Sequence, residues 1–183
     1  KLKKKNYKIN FYKGNILRKK KVKSWIINNK FDVVLHLAAK VPTKVASRNY
    51  KLSNKVNYLG TKNLVEAIKE SNKKVFLFFS SSSHIYNFSK KKIQEKNKYS
   101  GISKYGKTKI KAEKILLKNS KYYDLCIGRI ASLTSEKQST NYFLVNLINK
   151  IKMGENVIYR NSNIRRNFIH VTDVSNIIYK IIK

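Results

Sequence analysis

The sequence predicts an α/β fold, a parallel β-sheet flanked by helices. Three apolar runs carry the prediction: FDVVLHLAA (31–39), KVFLFFSSSS (74–83) and DLCIGRI (124–130). A run without polar alternation is the mark of a parallel strand buried on both faces. The segments between the runs have helical periodicity, and strands alternating with helices imply right-handed crossovers in one sheet.

In chain order, Lys8–Tyr12 alternates as a short strand, and Gly14-Asn15 closes it with turn chemistry. Lys20–Asn29 reads as a helix with Val22, Trp25 and Ile26 on its apolar side. The run 31–39 follows, and then a helix carrying Val56, Leu59, Leu64, Val65 and Ile68 that ends near Ser71. The run 74–83 ends in a serine cluster, and residues 88–101 form a polar loop. A helix over Ser103–Leu117 turns Ile110, Leu116 and Leu117 inward, and the run 124–130 closes the set of strands. Phe143–Ile151 is helical, FIHV (168–171) is a short strand, and Thr172 or its neighbour caps a last helix to Ile182.

A length of 183 residues suits one domain with a real core. The balance of 42 Lys+Arg against 9 Asp+Glu gives a formal charge of +33, a field that attracts polyanions of every kind. Only six of those bases are Arg, the side chain that reads phosphate and guanine bidentately, and the lysines are spread along the whole chain. Lys, Asn and Ile share A/T-rich codons, so base composition accounts for the charge without specific nucleic-acid binding. A single cysteine, Cys126, excludes an internal disulfide and fits a reducing cytoplasm. No apolar run is long enough to span a bilayer, and the basic start has no apolar stretch behind it as a signal peptide would.

Ligands of parallel α/β sheets collect beyond the carboxyl ends of the strands. Those ends read HLAAK, SSSSHIYN and GRIAS, where small residues leave room and hydroxyls supply hydrogen bonds. Four Tyr-x-x-x-Lys pairs occur, at Tyr58/Lys62, Tyr86/Lys90, Tyr105/Lys109 and Tyr179/Lys183. Chance alone yields roughly two in a chain so rich in both residues, so spacing does not choose among them. Context does. Only Tyr105 opens the helix that follows the serine-tipped strand, with Lys109 one turn later on the same face.

Six segments in register resemble the extended short-chain dehydrogenases, the family of nucleotide-sugar epimerases, dehydratases and reductases. GNI (14–16) resembles the Gly-Asp-Ile turn at the adenine, with Asn15 in place of Asp, and HLAA (36–39) the strand end against the cofactor. NYLGTKNL (57–64) resembles the Asn-x-x-Gly-Thr-x-Asn-Leu helix, and SSSSHIYN (80–87) the Ser-Ser-Ser-x-x-Tyr-Gly segment with Asn87 replacing Gly. YGKTKIKAEK is the Tyr-x-x-x-Lys helix, and RRNFIHVTDV (165–174) resembles Arg-Asp-Phe-Ile-His-Val-x-Asp-Val.

The resemblance implies an incomplete Rossmann-type sheet over 1–183, with 141–183 leading into a substrate-binding region. It implies NAD or NADP as cofactor, a nucleotide-sugar substrate, no membrane partner, and is compatible with a homodimer. Tyr105, Lys109 and Ser82 take the catalytic roles. Asn15, Ile16, Leu37, Ala38, Ala39, Asn57, Ser80, Ser81, Tyr105 and Lys109 take the cofactor roles. Ser82, Ser83, His84 and Arg166 take the substrate roles, and no residue is assigned to a metal. A free phenol titrates near ~10, so Lys109 and the nicotinamide ring are expected to lower the pKa of Tyr105 until it works as a base. Arg166 has the guanidinium fork suited to a diphosphate. Family 4,6-dehydratases carry Asp-Glu where this chain has Ser83-His84, which disfavours dehydration and leaves the role of His84 open.

Read as structure alone, Ser80, Ser81 and Ser83 are strand-end hydrogen-bonding residues and Tyr86 packs beneath the site. On the same reading His36 and His170 are structural, and Asp173 is a first-turn helix acid. The glycines at 14, 60, 101, 106, 128 and 154 build no Gly-x-x-Gly-x-x-Gly turn. The chain does not open with Met, and a fragment lacking the N-terminal glycine-rich unit and part of the C-terminal region is expected. In the family strand order 3-2-1-4-5-6, Lys8–Tyr12 would be strand 3 and FDVVLH strand 4. Without strands 1 and 2 between them, Lys8–Tyr12 should detach, or pair directly with strand 4, leaving 31–36, 74–79 and 124–130 as the parallel core. Two rival readings are a basic nucleic-acid-binding protein and a catalytically dead remnant of the fold.

Overall fold

The computed structural model describes residues 9–41, 50–158 and 165–183. Strands β1 (Val33–His36), β2 (Val75–Ser82) and β3 (Tyr123–Ile130) form a parallel sheet in the order β1-β2-β3. Its register pairs His36 with Phe79 and Ser82 with Ile130, so the strand ends lie side by side. Helix α1 (Lys19–Asn29) leads into β1, and helices α3 (Gly60–Glu70) and α4 (Lys104–Lys118) carry the crossovers from β1 to β2 and from β2 to β3. The order is that expected of three consecutive parallel strands.

The core lies on the helix-covered face of the sheet. Ile26 of α1, Leu64, Val65 and Ile68 of α3, and Ala112 and Leu116 of α4 meet Val75, Leu77 and Phe79 of β2 and Tyr123 of β3. Burying each large side chain of this set contributes on the order of 1.5–3 kcal/mol. At the rim, Lys19 pairs with Glu66 at 2.7 Å and Lys23 with Glu70, tying α1 to α3. Both pairs are solvent-exposed, so they add little beyond register.

Several expectations need correction. Residues 9–12 are not a strand: Ile9, Phe11 and Tyr12 are exposed, and no sheet edge holds them (Lys8 lies outside the described residues). That matches the detached alternative. The first apolar run yields a strand of only four residues, and it is not buried on both faces, because Leu35 points to solvent. Among the described residues β1 has β2 as its one neighbour, so no described strand pairs with its outer edge. Trp25 is likewise exposed in part, its ring against Phe31, and Leu117 of α4 faces out.

The second helix starts earlier than the periodicity suggests, with α2 at Tyr50–Asn54, and passes through a π turn at Lys55–Leu59 before α3. Leu59, expected on the apolar face, is exposed. The π turn inserts a residue and rotates Val56–Leu59 relative to α3, which is why a single 3.6-residue period misplaces them. Beyond β3, the unforeseen strand β4 (Ser132–Thr134) pairs in parallel with β5 (Phe168–His170) as a second sheet. Helices α5 (Phe143–Lys152) and α6 (Val171–Ile182) flank it with no fully buried residue. His170 caps α6, its Nδ1 accepting from the Thr172 N–H at 3.3 Å, and its other ring nitrogen lies 3.4 Å from Glu136. No described helix is long and apolar enough to cross a membrane.

Candidate active site

The end of β2 and the start of α4 build the centre of the site. Ser82 leaves the strand in extended conformation, and its hydroxyl accepts the His84 N–H at 3.2 Å, starting the single 3-10 turn Ser83–Ile85. Ser103 caps α4, its hydroxyl accepting the Gly106 N–H at 2.9 Å, which satisfies an orphan donor of the first turn. The two elements touch at glycines. A Cβ on Gly106 would lie 2.1 Å from the His84 carbonyl oxygen, and one on Gly101 2.2 Å from the same atom. Only hydrogen fits at either position, so the glycine of YGKTK sets how closely Tyr105 approaches the strand end.

Tyr105 lies edge-on to His84, ring centres 5.6 Å apart. Burial pushes its phenol up to about 12, the Ser82 side chain pulls in the opposite direction, and Tyr142 adds to the rise. The expected lowering by Lys109 is therefore not met in the protein alone. Lys109 turns its ammonium to the Ser80 carbonyl, 2.6 Å away, over the Phe79 ring, and sits 5.9 Å from the centre of the Tyr105 ring. Desolvation of that ammonium brings it down to about 8, and Glu113 partly offsets the fall. The remaining two ammonium donors of Lys109 meet no acceptor among the described residues.

His84 is held below its ordinary pKa by burial first and then by the charge of Arg166, also assigned to substrate. Ser83 and Arg166 are both exposed, as a contact to a ligand requires. Leu37 and Ala38 are exposed beyond β1, and Ala39 is half-buried.

Four assigned residues use their side chains elsewhere. Ser81 alternates to the opposite face from Ser80 and Ser82 and donates to the carboxylate of Glu113. Asn57, fully buried in the π turn, accepts from the Lys40 N–H at 2.7 Å, and donates to the Lys40 carbonyl at 3.1 Å and to Thr108 Oγ1 at 3.0 Å. It fastens the loop after β1 to α4. Asn15 Oδ1 accepts the Leu17 N–H at 3.0 Å in a local turn. Ile16 contributes packing: its carbonyl accepts from Asn63 at 2.9 Å, and its side chain lies where a Cβ on Gly60 would be. His36 is structural as expected, bonded to Thr61 Oγ1 at 2.8 Å and held neutral by burial at about 4.

Glu113 and Arg129 escaped the sequence reading. Glu113 is wholly buried one turn beyond Lys109, and Arg129 Nη2 on β3 meets it at 2.8 Å. The signal was an acid four residues after Lys109, on the inward face of a helix in a chain with only 9 acids.

The model of the "NAD dependent epimerase/dehydratase family" matches residues 1–183. A UDP-glucose 4-epimerase of Mycoplasma genitalium is 28% identical over 194 residues, covering 92% of this chain and 55% of that protein. A UDP-glucose 4-epimerase of Lactobacillus helveticus is 36% identical over 112 residues, covering 60% and 33%. The UDP-glucuronic acid 4-epimerase of Bacillus cereus, solved with UDP-glucuronic acid and NAD, superposes with a TM-score of 0.82 at 20% identity. It covers 93% of this chain and 54% of that one, and at this identity the likeness speaks for the fold. The chain spans about half the length of the first of these curated relatives. On the match over its whole length, the chain belongs to the NAD dependent epimerase/dehydratase family of enzymes.

Proposed function

We propose that these residues are the acid–base half of a nucleotide-sugar epimerase or reductase, with Tyr105, Lys109 and Ser82 as its catalytic residues. One observation carries the reading: a buried lysine with spare donors and a phenol flank the same serine-tipped strand end. The spare donors of Lys109 fit a pair of ribose hydroxyls, and the apolar segment Leu37–Ala39 follows the end of the neighbouring strand. The nicotinamide cofactor of the family supplies hydride acceptance and return when bound. The glycine-rich pyrophosphate turn has no counterpart in these 183 residues, so their part in holding the cofactor lies at the nicotinamide end and, through Asn15 and Ile16, at the adenine.

In this reading Ser82 holds the reacting sugar hydroxyl by hydrogen bonding and Tyr105 takes its proton. A phenol at about 12 is a weak base, so the proton transfer needs positive charge close to the phenol oxygen. In this reading Lys109, 5.9 Å from the ring centre, supplies part of it. Arg166 and His84 line the substrate side, where a guanidinium suits a diphosphate. Ser83-His84 in place of an acidic pair favours epimerisation or reduction over dehydration.

The test uses the protein expressed from its complete reading frame and assayed with UDP-glucose and UDP-glucuronic acid. Tyr105→Phe should abolish turnover and leave the melting temperature unchanged, and Lys109→Ala should raise the KM for NAD and lower kcat. Near-parental turnover in Tyr105→Phe would overturn the assignment.

A further inference from the structure

The buried carboxylate of Glu113 is the meeting point of four elements. Its Oε1 accepts from the Ser81 hydroxyl on β2 and from Arg129 Nε on β3, and its Oε2 accepts from the Tyr99 hydroxyl at 2.9 Å and Arg129 Nη2 at 2.8 Å. Arg129 is itself held on the far side. Its Nη1 donates to the Tyr86 hydroxyl and, at 2.6 Å, to the Glu95 carbonyl, and the rings of Tyr86 and Tyr99 each lie 5.4 Å from its carbon. Tyr86, Glu95 and Tyr99 all belong to the segment joining β2 to α4, so the pair clasps that loop to the helix. An ion pair this deep, with an exposed fraction of 0% at the carboxylate, is a costly means of holding a fold. Its position suggests a use beyond holding. Glu113 follows Lys109 by one helical turn, and Ser81 precedes Ser82.

We propose that Glu113, oriented by Arg129, is a positioning residue that keeps Lys109 charged and fixes the spacing of β2 and α4 at the proposed catalytic centre. The proposal rests on the acid–base reading of Tyr105 and Lys109. The groups facing Lys109 are His36 from β1, the Phe79 ring and Ser80 carbonyl from β2, and Tyr105 and Glu113 from its own helix. Glu113 is the one anion among them. His36 stays neutral, and Arg129 would face the site as a buried cation without its partner.

The experiment follows the Lys109 amine directly, by the pH dependence of its Cε resonance in lysine-labelled protein, assigned with Lys109→Met, alongside the melting temperature. This readout does not need turnover, so it stands apart from failure of the functional reading. Glu113→Gln should move the Lys109 titration down by roughly half a unit or more. Ser81→Ala, which removes a hydrogen bond and no charge, should lower the melting temperature and leave Lys109 where it is. The double variant Glu113→Gln/Arg129→Met guards against misfolding, because it leaves no unpaired buried charge. It should recover melting temperature relative to Glu113→Gln, and Lys109 should still titrate below the parental value, by less than in the single variant. An unchanged Lys109 in Glu113→Gln would overturn the proposal, as would a Lys109 titration that returns to the parental value in the double variant.

Discussion

Lys109 gives its ammonium to the Ser80 carbonyl at 2.6 Å, and the Tyr105 ring it is paired with by spacing is 5.9 Å away. The lysine is thus fixed by the strand rather than by the tyrosine, and its charge is a property of the strand end. Desolvation sets its titration at about 8. Activity that depends on a cationic Lys109 should therefore fall as pH rises through about 8, well below the range of a free lysine. A pH profile of kcat/KM for NAD-dependent turnover checks this, and a flat profile to pH 10 would contradict it.

Stability should depend on His36 in acid. Its folded pKa of about 4 lies below the ordinary value of 6.5, so between those values the unfolded chain binds the extra proton. Stability is then full above about 6.5 and is lost as pH falls towards 4, by up to about 3 kcal/mol for a gap of that size. Urea unfolding at pH 7 and pH 4.5 measures the loss. His36→Gln, which keeps a partner for Thr61, should flatten it, and an equally steep acid loss in that variant would assign the effect elsewhere.

Gly106→Ala and Gly14→Ala make a matched pair. The methyl group at position 106 would meet the His84 carbonyl at 2.1 Å, whereas at position 14 it would meet nothing within 4 Å. Alanine is the better helix former by about 1 kcal/mol, so propensity alone favours the change at 106. We expect the clash to win, with a net loss of about 1–3 kcal/mol, and position 14 to be neutral within about 0.5 kcal/mol. Denaturant midpoints of the two variants decide it.

The 183-residue chain by itself should bind NAD or NADP weakly. In the proposed reading Tyr105, Lys109 and the β1 end serve the nicotinamide ribose, but the 183 residues contain no glycine-rich turn for the pyrophosphate. Calorimetric titration should detect no binding tighter than about millimolar, which corresponds to roughly 4 kcal/mol. Micromolar affinity would show that another segment performs the phosphate contact.

The parallel sheet was legible because its apolar runs are short, rich in β-branched and aromatic residues, and alternate with helical segments, which together favour strands over buried helices. The serine-tipped strand then selected Tyr105 from four equivalent spacings. Boundaries of β2, β3 and α4 fall within a residue or two of their expected places. What sequence did not show has particular causes. Ile9–Tyr12 has a strand pattern but no partner, and a strand without a partner is not a strand. Asn57 and Ser81, assigned to the cofactor, both spend their side chains on protein groups, because burial forces them to satisfy the nearest donors and acceptors. The Tyr105 phenol rises rather than falls because its burial outweighs the pull of the Ser82 side chain, while Lys109 faces the Ser80 carbonyl instead.

The π turn at Lys55–Leu59 places Asn57 between Lys40 and Thr108, and it does so by carrying one residue more than a plain helix would need. Deleting any one residue from that turn would let the segment relax to an unbroken α-helix at little local cost. The relaxation would swing position 57 about 100° around the axis and release the loop after β1 from α4. Chain length in this stretch is therefore under a constraint that composition is not. A lysine-rich surface can drift freely here in residue type, while a single lost codon would uncouple two halves of the proposed active site without touching a residue assigned to catalysis.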